Sequence, residues 1–235
     1  MNAIAGRIIA GALFLIAIPF IVWLTGWRWQ PGQDVAGLKI FYWFTQTVTQ
    51  PWGIVTHLLL CVWFLWCLRP TGRSAIVLVI ILSVTVVSGQ GIKSLIKQQV
   101  REPRPYVLWL EEKHAVPVDR FYAQTGPQRK ALVKQQLRED KTVPGWLRKH
   151  WQFETGFAFP SGHTMFAACW ALLGVGLLWP RRRLFTVGML CLWAIVVMTS
   201  RLLLGMHWPV DLMTSVAISA GLAMIASGLF HKLNS

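Results

Sequence analysis

Six apolar stretches, each near the length that crosses a bilayer, constrain this 235-residue chain more than anything else in it. A spanning helix needs ~20 predominantly apolar residues. Runs of that kind occupy approximately 6–27, 52–69, 74–96, 162–180, 184–203 and 210–230. They predict an all-α polytopic membrane protein with six transmembrane helices. The composition agrees, since 14% of the residues are charged where a soluble domain carries ~25%. The first run follows Arg7 and reaches Trp27 without a small-x-small cleavage site, so it reads as an uncleaved span. A mixed aromatic segment, 37–50 (GLKIFYWFTQTVTQ), is too polar to span and is expected in the interface. Between the third and fourth spans, 97–160 forms one polar insert. Within it, 127–140 reads as an amphipathic helix, with Pro144 as a later breaker. The expectation is a single membrane domain, 1–235, with 97–160 as a helical insert.

Orientation follows from the short loops, because cytoplasmic loops collect Lys and Arg. With the N-terminus inside, the inner segments hold Arg7, Arg69, Arg73, Arg181, Arg182, Arg183 and Lys232 and no acidic residue. All nine acidic residues then fall outside, seven of them within 97–160. The net charge of +14 suits nucleic acid, an anionic membrane surface or a phosphorylated substrate. The hydrophobicity argues against nucleic acid. Cys61, Cys67, Cys169 and Cys191 all sit inside apolar runs, so they read as packing residues rather than as a disulfide or zinc framework.

Three clusters carry chemistry, and this topology brings all of them to the outer face. They are Lys97-x6-Arg104-Pro105, Pro160-Ser161-Gly162-His163, and Ser200-Arg201-x5-His207-x3-Asp211. Lys97, Arg104 and Arg201 suit a phosphoryl group, Arg by bidentate hydrogen bonds and Lys as a compact charge. Ser161 and Gly162 start a helix, where free N–H groups and the helix dipole favour an anion. Two histidines supply what displacement at phosphorus needs, a nucleophile and a proton donor. His207 and Asp211, four apart at a helix entrance, share one face, so Asp211 is suited to orient His207. Each piece alone has a plainer explanation: a boundary Lys or Arg snorkels, an interfacial His is structural, and Ser161 is an N-cap. Their coincidence in this order on one side is what argues for a joint site. His57 reads as a structural histidine without a partner. Lys93, one turn before Lys97, adds to the local potential, and Glu154 stands outside the catalytic set.

The pattern K-x6-RP, PSGH and SR-x5-H-x3-D resembles the type 2 phosphatidic acid phosphatase (PAP2) superfamily, which also includes bacterial acid phosphatases, glucose-6-phosphatase and vanadium haloperoxidases. The motifs span 97–211, and every motif position is matched. The stretches TVTQPWGIVTHLLL, GFAFPSGHTMFAA and GLLWPRRR further resemble lipid phosphatases of Gram-negative bacteria within that superfamily. The resemblance implies that His207 attacks phosphorus and becomes phosphorylated, and that Asp211 orients and charge-stabilises it. His163 would protonate the departing alkoxide and later activate water. Lys97, Arg104, Ser161, Gly162 and Arg201 would bind phosphate oxygens. It also implies a multi-pass inner-membrane enzyme with cytoplasmic termini, a periplasmic insert and a site facing the periplasm. Its substrates would be lipid phosphates: phosphatidylglycerophosphate, phosphatidic acid, lysophosphatidic acid, diacylglycerol pyrophosphate or undecaprenyl pyrophosphate. No metal, cofactor or obligate protein partner is expected. Two other readings stay open: an anion pocket that holds vanadate or passes phosphate to another acceptor, and a non-enzymatic transporter or binder of anionic lipids.

Overall fold

The computed structural model describes residues 2–31 and 35–233. Asp34, counted above among the outer acidic residues, lies outside the described residues. Every regular element among them is helical. The order is α1 (Asn2–Leu24), α2 (Val35–Gln46), α3 (Trp52–Leu68), α4 (Arg73–Val100), α5 (Pro105–His114), α6 (Val118–Tyr122), α7 (Gly126–Gln136), α8 (Gly145–Phe153), α9 (Gly162–Leu177), α10 (Leu184–Leu203) and α11 (Pro209–Leu233).

Four helices, α1, α4, α10 and α11, are long and apolar enough to cross a membrane. The other two apolar runs form shorter helices, α3 with 17 residues and α9 with 16. At ~1.5 Å per residue α9 rises about 24 Å, short of a hydrocarbon core of ~30 Å. The reason lies in its surroundings: α9 packs against α1, α4, α10 and α11, and it is buried from Thr164 to Leu177. A helix enclosed on all sides has no lipid-facing length to match. It stops at Leu177, and the chain turns through a 3₁₀ element at Trp179–Arg181. By contrast α3 packs chiefly on α4 and turns Leu58, Leu59, Val62, Trp63 and Trp66 outward.

Small residues let α9 and α11 approach closely, as in membrane helix packing. Ser215 Oγ donates to Ser161 O (3.0 Å) and Ser219 Oγ to Met165 O (3.2 Å), which ties the start of α9 to α11. Deeper in the bundle, a Cβ at Gly176 would lie 2.2 Å from Ser227 Oγ and 3.0 Å from Ser227 Cβ. Gly176→Val is therefore expected to destabilise the bundle by about 1–3 kcal/mol through overpacking. Thermal unfolding in detergent measures this, and an unchanged midpoint would contradict the close approach.

The insert folds as α5 to α8 around a small core of its own, with Tyr106, Leu110, Phe121, Val133 and Trp151 fully buried. The amphipathic helix expected over 127–140 runs instead over 126–136. Its end is set by Arg148, whose guanidinium takes the carbonyls of Leu137 (2.7 Å) and Arg138 (3.0 Å). Asp140 then turns the chain by accepting from Thr142 N (2.7 Å). Leu204 and Met206 join the same core, so the insert is packed onto the segment that carries His207.

Candidate active site

The α10–α11 connection shows how the fold positions its side chains. Gly205 adopts φ +68, and a Cβ there would lie 2.6 Å from the Trp29 ring. Glycine is required on both counts. Three indoles hold the surrounding backbone: Trp29 Nε1 donates to Leu203 O, Trp151 Nε1 to Leu204 O, and Trp208 Nε1 to Pro103 O, each at 2.9 Å. Tyr106 N donates to Gly205 O at 3.0 Å. Tryptophan here does more than mark an interface.

This clamp presents His207, whose side chain is 1% exposed. His207 Nδ1 lies 3.0 Å from Asp211 Oδ2, which also accepts from Trp208 N at 3.0 Å. A carboxylate can only accept, so Nδ1 carries the proton and Nε2 keeps its lone pair. Arg104 Nη1 stands 3.5 Å from that Nε2. Burial first, and then Arg104, Lys97 and Arg201, hold the His207 imidazole well below its ordinary titration range.

Glu154 occupies the centre. Its Oε2 accepts from Arg201 Nη2 at 2.6 Å and from Arg104 Nη1 at 3.4 Å. Its Oε1 has no hydrogen bond and lies 3.6 Å from both His150 Nε2 and His163 Nε2. Burial opposes ionisation of Glu154, but the Arg201 guanidinium and the groups around it outweigh burial and hold the carboxyl well below its usual range. Arg201 is fully buried and also donates to Thr45 Oγ1 (2.7 Å), with His150 Nε2 at 3.2 Å. Burial lowers the His150 pKa to about 3.

The predicted residues fall into two groups. Lys97, Arg104, Gly162, His163 and His207 line one cavity of about 520 Å³. Lys97 Nζ donates to the carbonyls of Phe157 and Ala158, the second at 2.9 Å, and so braces the segment leading into α9. Ser161 does not reach the cavity: its Oγ caps α9 by accepting from Thr164 N at 3.3 Å. Asp211 and Arg201 stand behind His207 and Glu154. Gly162 leaves room for a neighbour, since a Cβ there would meet Lys93 Cδ at 2.8 Å. His57 does find a partner, Ser83 Oγ at 3.1 Å. The sequence reading missed the central position of Glu154 and the roles of His150, Thr45 and Thr49. One signal was present: His150-x3-Glu154 repeats the spacing of His207-x3-Asp211.

The cavity is amphipathic. Lys93, Lys97, Arg104, Glu154, His163 and His207 form a polar end, and Val48, Ile54, Val86, Val87 and Phe166 an apolar one. Its walls come from α3, α4 and the start of α9.

Acid stability follows from these shifts. His150 and His207 stay neutral in the fold, whereas their ordinary value is 6.5. The unfolded chain therefore binds protons that the folded chain does not, and stability falls as pH drops below that value. Glu154 adds a further loss below the ordinary 4.5 as pH falls towards its depressed value. The unfolding midpoint in detergent is expected to decline through this acid range, less steeply in His150→Gln. A pH-independent midpoint would contradict neutral buried imidazoles.

The PAP2 superfamily model matches residues 75–235. Phosphatidylglycerophosphatase B of Escherichia coli (strain K12) is 56% identical over 233 residues, covering 99% of this chain and 92% of that protein. Phosphatidylglycerophosphatase B of Haemophilus influenzae is 32% identical over 215 residues, 88% of each chain.

Proposed function

As the chain belongs to the PAP2 superfamily, we propose that it is a membrane lipid phosphatase acting through a phosphohistidine on His207. One observation carries the reading. A cavity with an apolar end has Arg104, Glu154 and His163 at its polar end, and with Arg201 behind Glu154 these cations and the imidazole lie within 3.6 Å of a single carboxylate. A phosphoryl group that takes over from the Glu154 carboxylate meets the same donors, while acyl chains stay in the apolar part.

In the proposed reaction the His207 Nε2 lone pair attacks phosphorus as the ester P–O bond breaks. His163 gives its proton to the departing alkoxide, which leaves as an alcohol. Water then gives a proton to His163 and attacks the phosphohistidine. The P–N bond breaks, its electron pair returns to Nε2, and phosphate is released. Asp211 stabilises the positive imidazole of the intermediate. Lys97, Arg104 and Arg201, with the N–H of Gly162 at the start of α9, neutralise charge on the phosphoryl oxygens, which is ordinarily the largest contribution. General acid help typically adds ~10²–10⁴-fold.

The proposed substrate is phosphatidylglycerophosphate, after which the relatives are named, with phosphatidic acid, lysophosphatidic acid and undecaprenyl pyrophosphate as related lipid phosphates. In the proposed topology α3 and α9 complete six spans, both termini are cytoplasmic, and the insert and site face the periplasm from the inner membrane. The basic inner loops support this orientation. Lipid enters sideways between α3 and α4, whose side chains wall the cavity.

The test is phosphate release by the purified full chain in mixed micelles, with chelator present. Lipid phosphates are compared with a soluble sugar phosphate. The expected result is chelator-resistant hydrolysis of the lipids, strongest for phosphatidylglycerophosphate. Turnover of the sugar phosphate alone would overturn the lipid assignment, and strict dependence on added metal would overturn the metal-free sequence.

A further inference from the structure

The interfacial segment α2 and the turn after it reach into the site in a way that the three motifs do not describe. Thr45 is fully buried and Thr49 is 6% exposed, although both lie in a segment whose neighbour Trp43 is 62% exposed. Thr49 Oγ1 is 3.0 Å from His163 Nε2, and the same hydroxyl donates to Thr45 O at 3.0 Å. The turn is built to hold this hydroxyl still. Thr49 N bonds back to Thr45 O and Gln46 O, and Gly53 N donates to Thr49 O. Thr56 Oγ1 donates to Thr47 O at 2.7 Å from α3, and Trp193 Nε1 to Thr47 Oγ1 at 3.1 Å from α10. A Cβ at Gly53 would lie 2.5 Å from Val48 O, so the turn closes on α3 only because residue 53 is glycine.

A hydroxyl has one proton and otherwise accepts. With the Thr49 proton on Thr45 O, the oxygen offers His163 a lone pair. In that arrangement the ring is the donor, with a proton on Nε2. That nitrogen is also the one 3.6 Å from Glu154 Oε1, the side on which an anion sits. We propose that Thr49 is a positioning residue for His163, holding the ring so that Nε2, the nitrogen that carries the acid proton, faces the side of the cavity where the leaving oxygen lies. The inference rests on the acid role of His163 given above. It makes α2 part of the reaction machinery, because Thr45 on the same segment holds Arg201.

The test uses the full chain in mixed micelles with two substrates. Phosphatidic acid releases a strongly basic alkoxide and needs a proton, whereas an aryl phosphate leaves as a stable phenoxide. In Thr49→Val, nearly isosteric but without the hydroxyl, kcat/KM for phosphatidic acid is expected to fall about 10-fold or more, a part of the full general-acid contribution. For the aryl phosphate it is expected to stay within about 3-fold, which also reports a folded site. Thr49→Ser restores the hydroxyl and is expected to recover most of the phosphatidic acid rate. Equal losses on both substrates, or Ser and Val variants that behave alike, would overturn the proposal. His163→Ala, run alongside, separates the two claims. If its loss is no larger for phosphatidic acid than for the aryl phosphate, the acid role itself fails. If it is larger while Thr49→Val shows no such difference, only the positioning role fails.

Discussion

His207→Ala is expected to abolish phosphate release, a loss on the order of 10⁴–10⁶-fold as for other covalent hydrolases stripped of their nucleophile. The fold should survive. Asp211 Oδ2 keeps the Trp208 N–H, and the connecting segment keeps its bonds from Trp29, Trp151 and Tyr106. The loss should therefore appear in kcat with little change in the unfolding midpoint. Label separates a nucleophile from a mere phosphate ligand. After alkaline quench of a reaction with a ³²P-labelled aryl phosphate, whose leaving group needs no proton, His163→Ala, slowed in the hydrolytic half, should retain label on the protein. His207→Ala should retain none. Substantial turnover in His207→Ala would remove the phosphohistidine from the mechanism.

How much of this was legible beforehand differs by element. Helix ends were readable because composition changes there: Lys97 near the end of α4, Ser161 as the cap of α9, and Asp211 in the first turn of α11. The His207–Asp211 pair was readable because a four-residue spacing fixes a face locally. Glu154 was not. It meets Arg201 across 47 residues and Arg104 across 50, and no local period encodes such a meeting. The aromatic segment misled for a different reason. Its composition describes the side that faces outward, and Thr45 and Thr49 do their bonding on the other side. The short length of α9 was hidden too, because an apolar run reads alike whether lipid or other helices surround it.

Arg201→Met offers the largest effect on stability, because it strands a charge. Arg201 holds Glu154 at 2.6 Å in a site where the carboxylate is 12% exposed and the guanidinium not at all. Removing one partner of a buried pair typically costs about 3–5 kcal/mol, mostly for the charge left behind. The unfolding midpoint should fall accordingly, and activity should be lost with the bidentate phosphate donor. Adding Glu154→Gln removes the stranded charge. The double variant is expected to recover much of the stability and none of the activity, which a double-mutant cycle reads as coupling between contacting residues. Glu154→Gln alone points the other way for ligand. With no carboxylate competing for Arg201 and Arg104, inorganic vanadate should inhibit at lower concentration than in the unsubstituted protein. Weaker vanadate inhibition in Glu154→Gln, together with additive stability losses, would mean that Glu154 is not held where the phosphoryl group binds. Tighter inhibition with a non-additive cycle ties the resting carboxylate and the phosphate to one set of cations.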